Sequence, residues 1–167
     1  PNDLAGLKIR TPADPMTIDI FQALGAGTEQ IAFSELYIAL QQGVVDGQEN
    51  PLANIESSKL HEVNRFISLT AHKWESTPFL MSKIAEARLG ADLDAVKAAA
   101  KEAGALQRTL SNEKASEVLG AFRKNTAIEV VDVDREAFVK ATAAVAESWK
   151  KKPFGDFVSK VEAEAKA

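Results

Sequence analysis

The stretch FSELYIALQQGVVDGQENP, Phe33 to Pro51, decides how this chain is read. Its first half predicts an amphipathic helix. Ser34 is a good N-cap, and Glu35 puts a negative charge in the first turn, where the helix dipole favours it. Leu36, Tyr37 and Leu40 then fall on one side, followed by Val44, and Asp46-Gly47 closes the helix. The second half is the polar run DGQENP. Asn50 ahead of Pro51 reads most simply as the N-cap of a further helix running to about Val63. A helix N-terminus also favours an anion, so the same asparagine is a candidate ligand contact.

Upstream, Leu7-Lys8-Ile9-Arg10 alternates apolar and polar residues as a short strand does, and Thr11-Pro12 stops it. Asp14 as N-cap and Pro15 at the first helical position open a helix with Ile18, Ile20, Phe21 and Leu24 on its buried face. Gly25 and Gly27 end it, and Gln30 to Phe33 is a second candidate strand. Strand, helix, strand, helix in this order predicts an α/β layer.

Downstream, Arg65 to Met81 is the longest extended candidate, with strand-like ends at Phe66–Thr70 and Phe79–Met81. Trp74 lies between them. From about Ala91 the spacing of Val96, Ala99, Ala103, Leu106 and Leu110 is helical, and the pattern continues to Val118 and Phe122 past candidate kinks at Ser111-Asn112 and Gly120. Thirty helical residues span about 45 Å, which suits a scaffold spanning two lobes. Ile128 to Val133 alternates as another strand. Asp134 caps a helix to about Lys150 with Phe138, Ala141, Val145 and Trp149 on its apolar side. Pro153-Phe154-Gly155 breaks that helix, and a last one carries Phe157, Val158 and Val161.

The composition excludes several function classes. The chain has 167 residues, 46% of them hydrophobic, enough for a real core. Net charge is −4 and the basic residues are scattered, so no nucleic-acid partner is expected. The absence of cysteine rules out disulfides, thiol nucleophiles and thiolate metal sites. No apolar run approaches the ~20 residues that span a bilayer, so no direct membrane insertion is expected. Pro1-Asn2-Asp3-Leu4 has no initiator Met and reads as a start inside a longer protein.

Few residues are placed for chemistry. His61 and His72 are the only histidines, and neither sits in a nucleophile-elbow context or at a recognised metal spacing. Asp46 and Glu49 read as turn and solubility residues. Arg10 ends the first strand, and ligands of open α/β sheets sit beyond the carboxyl ends of strands. A guanidinium there can grip a carboxylate through two parallel hydrogen bonds; the plainer reading is an exposed arginine. Phe33 and Trp74 read either as core or as ligand-stacking residues.

Three motifs in order carry a resemblance. FSELYIALQQGVVDGQENPLANI (Phe33 to Ile55), DLAGLKIRTP (Asp3 to Pro12) and LHEVNRFISLTAH (Leu60 to His72) closely resemble segments of the DctP-type solute-binding proteins of TRAP transporters. The resemblance is strong over residues 3–82 and becomes a helix pattern beyond. It implies the second α/β lobe of a two-lobe periplasmic-binding-protein-like fold whose lobes close on a ligand. Residues 1–74 are then the main part of that lobe. Residues 75–125 form a crossing strand and long helix shared with the missing lobe, and residues 126–167 a strand and C-terminal helices.

The implied function is a periplasmic receptor that captures a small organic acid and delivers it to TRAP membrane permease subunits. It implies no enzyme activity and no cofactor. Arg10 matches the arginine that holds the ligand carboxylate, Asn50 the asparagine that assists, and Phe33 the aromatic that packs on the ligand. His72 matches a histidine of the nearby hydrogen-bond network, and Trp74 lies where ligand-contacting residues vary. Thr28 to Ala32 lacks the family's usual proline-containing run, and Ala13 stands where some sugar-acid binders place a polar residue, which argues against a sialic-acid-like ligand. Without the first lobe, an unpaired edge and an apolar helix face predict a dimer or an exchange of elements between chains. Two competing readings are an interaction module built on the Ala-rich helix and a small enzyme using His72 and Glu75.

Overall fold

A computed structural model describes residues 1–165; the last two residues of the expected 126–167 segment lie outside the described residues. The chain opens with β1 (Lys8–Thr11), α1 (Pro15–Ala23), β2 (Gly27–Gln30), α2 (Leu36–Gln41), β3 (Gly47–Gln48) and α3 (Leu52–Ser57). The three strands form a parallel sheet in the order β2-β1-β3. Lys8 to Thr11 pair with Gly27 to Gln30, and Ile9 and Arg10 with Gly47 and Gln48. A second parallel pair joins β4 (Phe66–Ser68) to β5 (Glu129–Val131). Parallel strands need crossovers, and helices supply them here.

The remaining helices are α4 (Lys83–Leu89), α5 (Leu93–Lys124), α6 (Arg135–Lys150) and α7 (Gly155–Ala165). The 32 residues of α5 run unbroken through Ser111-Asn112 and Gly120, so neither site kinks the helix out of register. Only its last turns reach the main core, where Val118 and Phe122 pack with Leu36, Leu40, Val45, Ile55, Leu60, Ile67 and Ile128. A smaller cluster, Ile20, Leu24 and Phe138, fastens α6 onto α1. The Trp149 indole N–H adds a 2.7 Å hydrogen bond to the Asp19 carboxylate.

Several local expectations hold. The Asp14 carboxylate accepts from the Met16 and Thr17 amides and caps α1, with Pro15 next to it. The Asp134 carboxylate accepts from the Ala137 amide at 3.2 Å and caps α6. After α1, Gly25 takes φ +84°, and a Cβ there would meet Ala5 at 3.3 Å, so glycine is needed for both conformation and space.

Other expectations are corrected. The second strand lies earlier, at Gly27–Gln30, because it must reach the edge of β1; Phe33–Glu35 is instead a 3-10 turn. Ser34 therefore falls inside that turn and is not an N-cap. Val45, not Val44, is the buried residue after α2, since the chain has left helical geometry at Gln42. The helix after Pro51 stops at Ser57, with a separate 3-10 turn at Leu60–Glu62. The Arg65–Met81 strand shrinks to Phe66–Ser68. Residues 69–82 have no regular structure, because no partner strand is present for Phe79–Met81 among the described residues.

Candidate functional site

The carboxyl ends of β1, β3 and β4 converge on one side of the molecule, where parallel α/β sheets bind ligands. Each strand end delivers polar side chains. Arg10 sits on β1, Glu49 and Asn50 follow β3, and Thr70 and His72 follow β4.

Arg10 is only 5% exposed, so the reading of it as an ordinary exposed strand-end arginine fails. Its Nε–H donates to the Ile31 carbonyl at 2.8 Å, which fixes the plane of the guanidinium. Among the described residues that is its only hydrogen bond, so both terminal nitrogens keep their donors. Phe33 covers one face, with its ring centroid 5.9 Å from the guanidinium carbon. Burial lowers the Arg10 pKa and the Glu49 carboxylate opposes that shift. A guanidinium so far from neutral pH stays charged either way.

Asn50 does not cap α3. Pro51 occupies that position, and the Asn50 side-chain N–H instead donates to the Gln48 side-chain carbonyl at 2.5 Å. His72 is held on three sides. Thr70 Oγ1 lies 2.7 Å from its Nδ1, Glu49 Oε2 lies 3.4 Å from its Nε2, and Phe21 meets the ring edge-on at 5.1 Å. The Nε2 contact lacks hydrogen-bond alignment, so that buried nitrogen keeps its bonding capacity. His72 thus pairs with Glu49, not Glu75; Glu75 turns to Lys73 at 3.6 Å.

A cleft of about 410 Å³ opens here, lined by Glu49, Asn50, Thr70, His72, Lys73 and Trp74 among others. That volume is within the usual range of small-molecule sites. Arg10 is not in this lining; its charge interacts with that of Glu49, which is. Trp74 is 87% exposed and stands at the rim, while Phe33 is half-open beside Arg10. The five expected site residues therefore fall into two groups, Arg10 with Phe33 and Asn50 with His72 and Trp74, with Glu49 between them.

Two residues escaped the sequence reading. Glu49 looked like a loop acid, yet it links the two groups; its place directly before Asn50 was the only signal. Lys73 reaches back to α1, 3.0 Å from Thr17 Oγ1 and 3.4 Å from the Asp14 carboxylate. Nothing local marks that contact, which joins residues 56 positions apart. Asp46 is a staple rather than a solubility residue. Its amide and carboxylate bond the carbonyl and amide of Lys8, each at 2.8 Å, and so lock β3 to β1.

The sequence pattern of the DctP family, bacterial extracellular solute-binding proteins of family 7, matches residues 1–152. The chain belongs to this family. A Sinorhizobium fredii protein is 77% identical over 148 residues, 89% of this chain and 27% of the relative. The fold matches a TRAP periplasmic solute-binding protein from Polaromonas bound to D-erythronate, with a TM-score of 0.87 and 36% identity over 97% of this chain and 54% of that one. It also matches one from Pseudomonas putida with bound D-glucuronate, with a TM-score of 0.86 and 30% identity over 96% of this chain and 52% of that one. The expected α/β lobe of a periplasmic-binding-protein-like fold is thus what the chain adopts. This DctP-family chain spans about half the length of such solute-binding proteins, or less. No helix among the described residues is long and apolar enough to cross a membrane.

Proposed function

We propose that this chain is the carboxylate-gripping lobe of a periplasmic receptor that captures a small organic acid and hands it to a TRAP membrane permease. One observation carries the reading: the buried Arg10 guanidinium is fixed by one bond through Nε and keeps its two terminal nitrogens unspent. Such a group is pre-organised for a bidentate carboxylate. Asn50 supplies a neutral donor and acceptor nearby, and Phe33 an apolar wall for the ligand's carbon chain. Trp74, on the rim, contacts the ligand once a second lobe closes over it, and His72 holds the polar network between them.

The relatives' ligands agree in kind. D-Erythronate and D-glucuronate each present one carboxylate and several hydroxyls, so the substrate class proposed here is the polyhydroxy monocarboxylic acids. Glu49 supports that choice, because a carboxylate beside Arg10 repels a second negative charge on the ligand. Residues 75–125 would bridge to the other lobe, with α5 as the spanning element.

The test is a thermal-shift screen of a two-lobed chimera, this chain joined to the remaining half of the Polaromonas relative. Sugar acids and C4-dicarboxylates are compared. Ligand at a hundred times Kd stabilises by about 2.7 kcal/mol. A shift with monocarboxylic sugar acids that disappears in Arg10→Ala is expected. A chimera that responds to no acid, or an Arg10→Ala variant that binds as tightly as the parent, rejects the reading.

A further inference from the structure

Lys73 lines the cleft beside Trp74, yet its hydrogen bonds go to α1, outside that lining. Its side chain is 17% exposed, and a lysine is rarely buried so far without partners. Here the ammonium donates to the Thr17 hydroxyl at 3.0 Å and to the Asp14 carboxylate at 3.4 Å, and the Glu75 carboxylate lies 3.6 Å away. An ammonium has three N–H donors, so each has an acceptor within reach and none is left over for a ligand.

The receiving end is rigid. Thr17 is fully buried, and its hydroxyl donates in turn to the Asp14 carboxylate. That carboxylate already accepts from the Met16 and Thr17 amides as the cap of α1, so it is held in place independently of Lys73. The donating end is looser. Residues 71–74 make no backbone–backbone hydrogen bond among the described residues, and Ala71 takes φ +43°. A residue other than glycine keeps that left-handed conformation only where its surroundings impose it. On the strand side the Thr70 amide bonds the Ser68 carbonyl at 2.9 Å. On the far side the holds are side chains: His72 against Glu49 and Phe21, and Lys73 on α1.

We propose that Lys73 is a positioning residue for the cleft. By clamping the segment after β4 onto the amino-terminal turn of α1, it sets where Trp74 stands at the rim. Asp14 follows Arg10 closely in the chain, so the clamp also ties the Trp74 side of the site to the end of β1 that carries the guanidinium. Lys73 does not touch the ligand. It removes freedom from a wall that the ligand would otherwise have to order, which is how preorganisation gains affinity. The consequence for affinity rests on the receptor reading; the clamp itself does not.

Two measurements test it. Backbone amide order parameters from NMR relaxation of the 167-residue chain are read at His72–Trp74, and D-erythronate affinity is read by calorimetry in the two-lobed chimera. The expected order parameters are about 0.85 in the parent and below about 0.6 in K73M. Affinity should fall roughly ten-fold in K73M, the scale of one charge-assisted hydrogen bond. K73R should restore both. D14N, which still caps α1, should add nothing to K73M, because the two changes break the same contact. T17V removes the bond from the other side and repeats the test if K73M unfolds. Order parameters that are unchanged in K73M, or already low in the parent, overturn the proposal. So does a segment that loosens with no loss of affinity. Additive losses in K73M/D14N also overturn it, since they would make Lys73 a direct ligand contact. A chimera that binds no acid rejects the receptor reading instead, and the clamp then stands or falls on the order parameters.

Discussion

Arg10 shows how the fold fixes one guanidinium while leaving its terminal donors unspent, which the proposed carboxylate contact requires. The strand places it, the Ile31 carbonyl orients it, and Phe33 shields it from water. Arg10→Ala in the two-lobed chimera should lower affinity for a sugar acid roughly ten- to a hundred-fold for each charge-assisted hydrogen bond lost, at about 1.5–3 kcal/mol apiece. Isothermal calorimetry reads that loss. Arg10→Lys should recover little, because an ammonium keeps the charge and not the fork. Asp14 permits a pH prediction. Burial pushes its carboxyl up, but hydrogen bonds from the Thr17 hydroxyl and amide and the charge of Lys73 outweigh that and hold it below its ordinary value. A depressed folded pKa means its contribution is complete above the unfolded carboxylate value of about 3.9 and is lost as pH falls through the lower folded one. Asp14→Asn, which still caps, should flatten that part of the acid limb of urea-measured stability. Asp14→Ala should cost about 1 kcal/mol at neutral pH as well.

At the scale of elements, α5 is two helices in energetic terms. Its carboxyl-terminal turns bury Val118 and Phe122, whereas Leu106 and Leu110 are more than half exposed. Truncating Phe122 to Ala should cost about 3–5 kcal/mol, through lost transfer energy and the cavity left behind. Leu110→Ala should change stability by no more than about 0.5 kcal/mol in this chain. Denaturant titration of both variants distinguishes a helix anchored at one end from one packed along its length; comparable losses would contradict the anchored picture. Periodicity marked all four residues alike, because heptad-like spacing says which side is apolar and not whether anything lies against it. For the same reason Phe79–Met81 has the composition of a strand and no ladder.

At the scale of the whole molecule, the proposed receptor reading makes this chain one half of a closing device. Its cleft is open on the side where a second lobe would exclude water, and Trp74 stands there uncovered. Electrostatic contacts strengthen as water is expelled, so the 167-residue chain alone should bind sugar acids far more weakly than the chimera. Equal affinities in calorimetry would mean that this lobe holds the complete site.

What the sequence determined by itself were features set by near neighbours in the chain: the Asp14 and Asp134 caps, the strand-helix-strand-helix order of the first forty residues, and Arg10 at a strand end; β3 at Gly47–Gln48 went unread, because two residues carry no alternation. Family motifs added the expected roles, because their order and spacing are visible without coordinates. Only the tertiary structure decided which groups meet. Glu49 stands between Arg10 and His72, Lys73 crosses to Asp14 and Thr17, and Asn50 faces Gln48 instead of capping α3. Among the described residues β3 pairs only with β1, and β4 only with β5. Contacts between residues tens of positions apart depend on how strands pair and where crossovers land, and no local pattern encodes that.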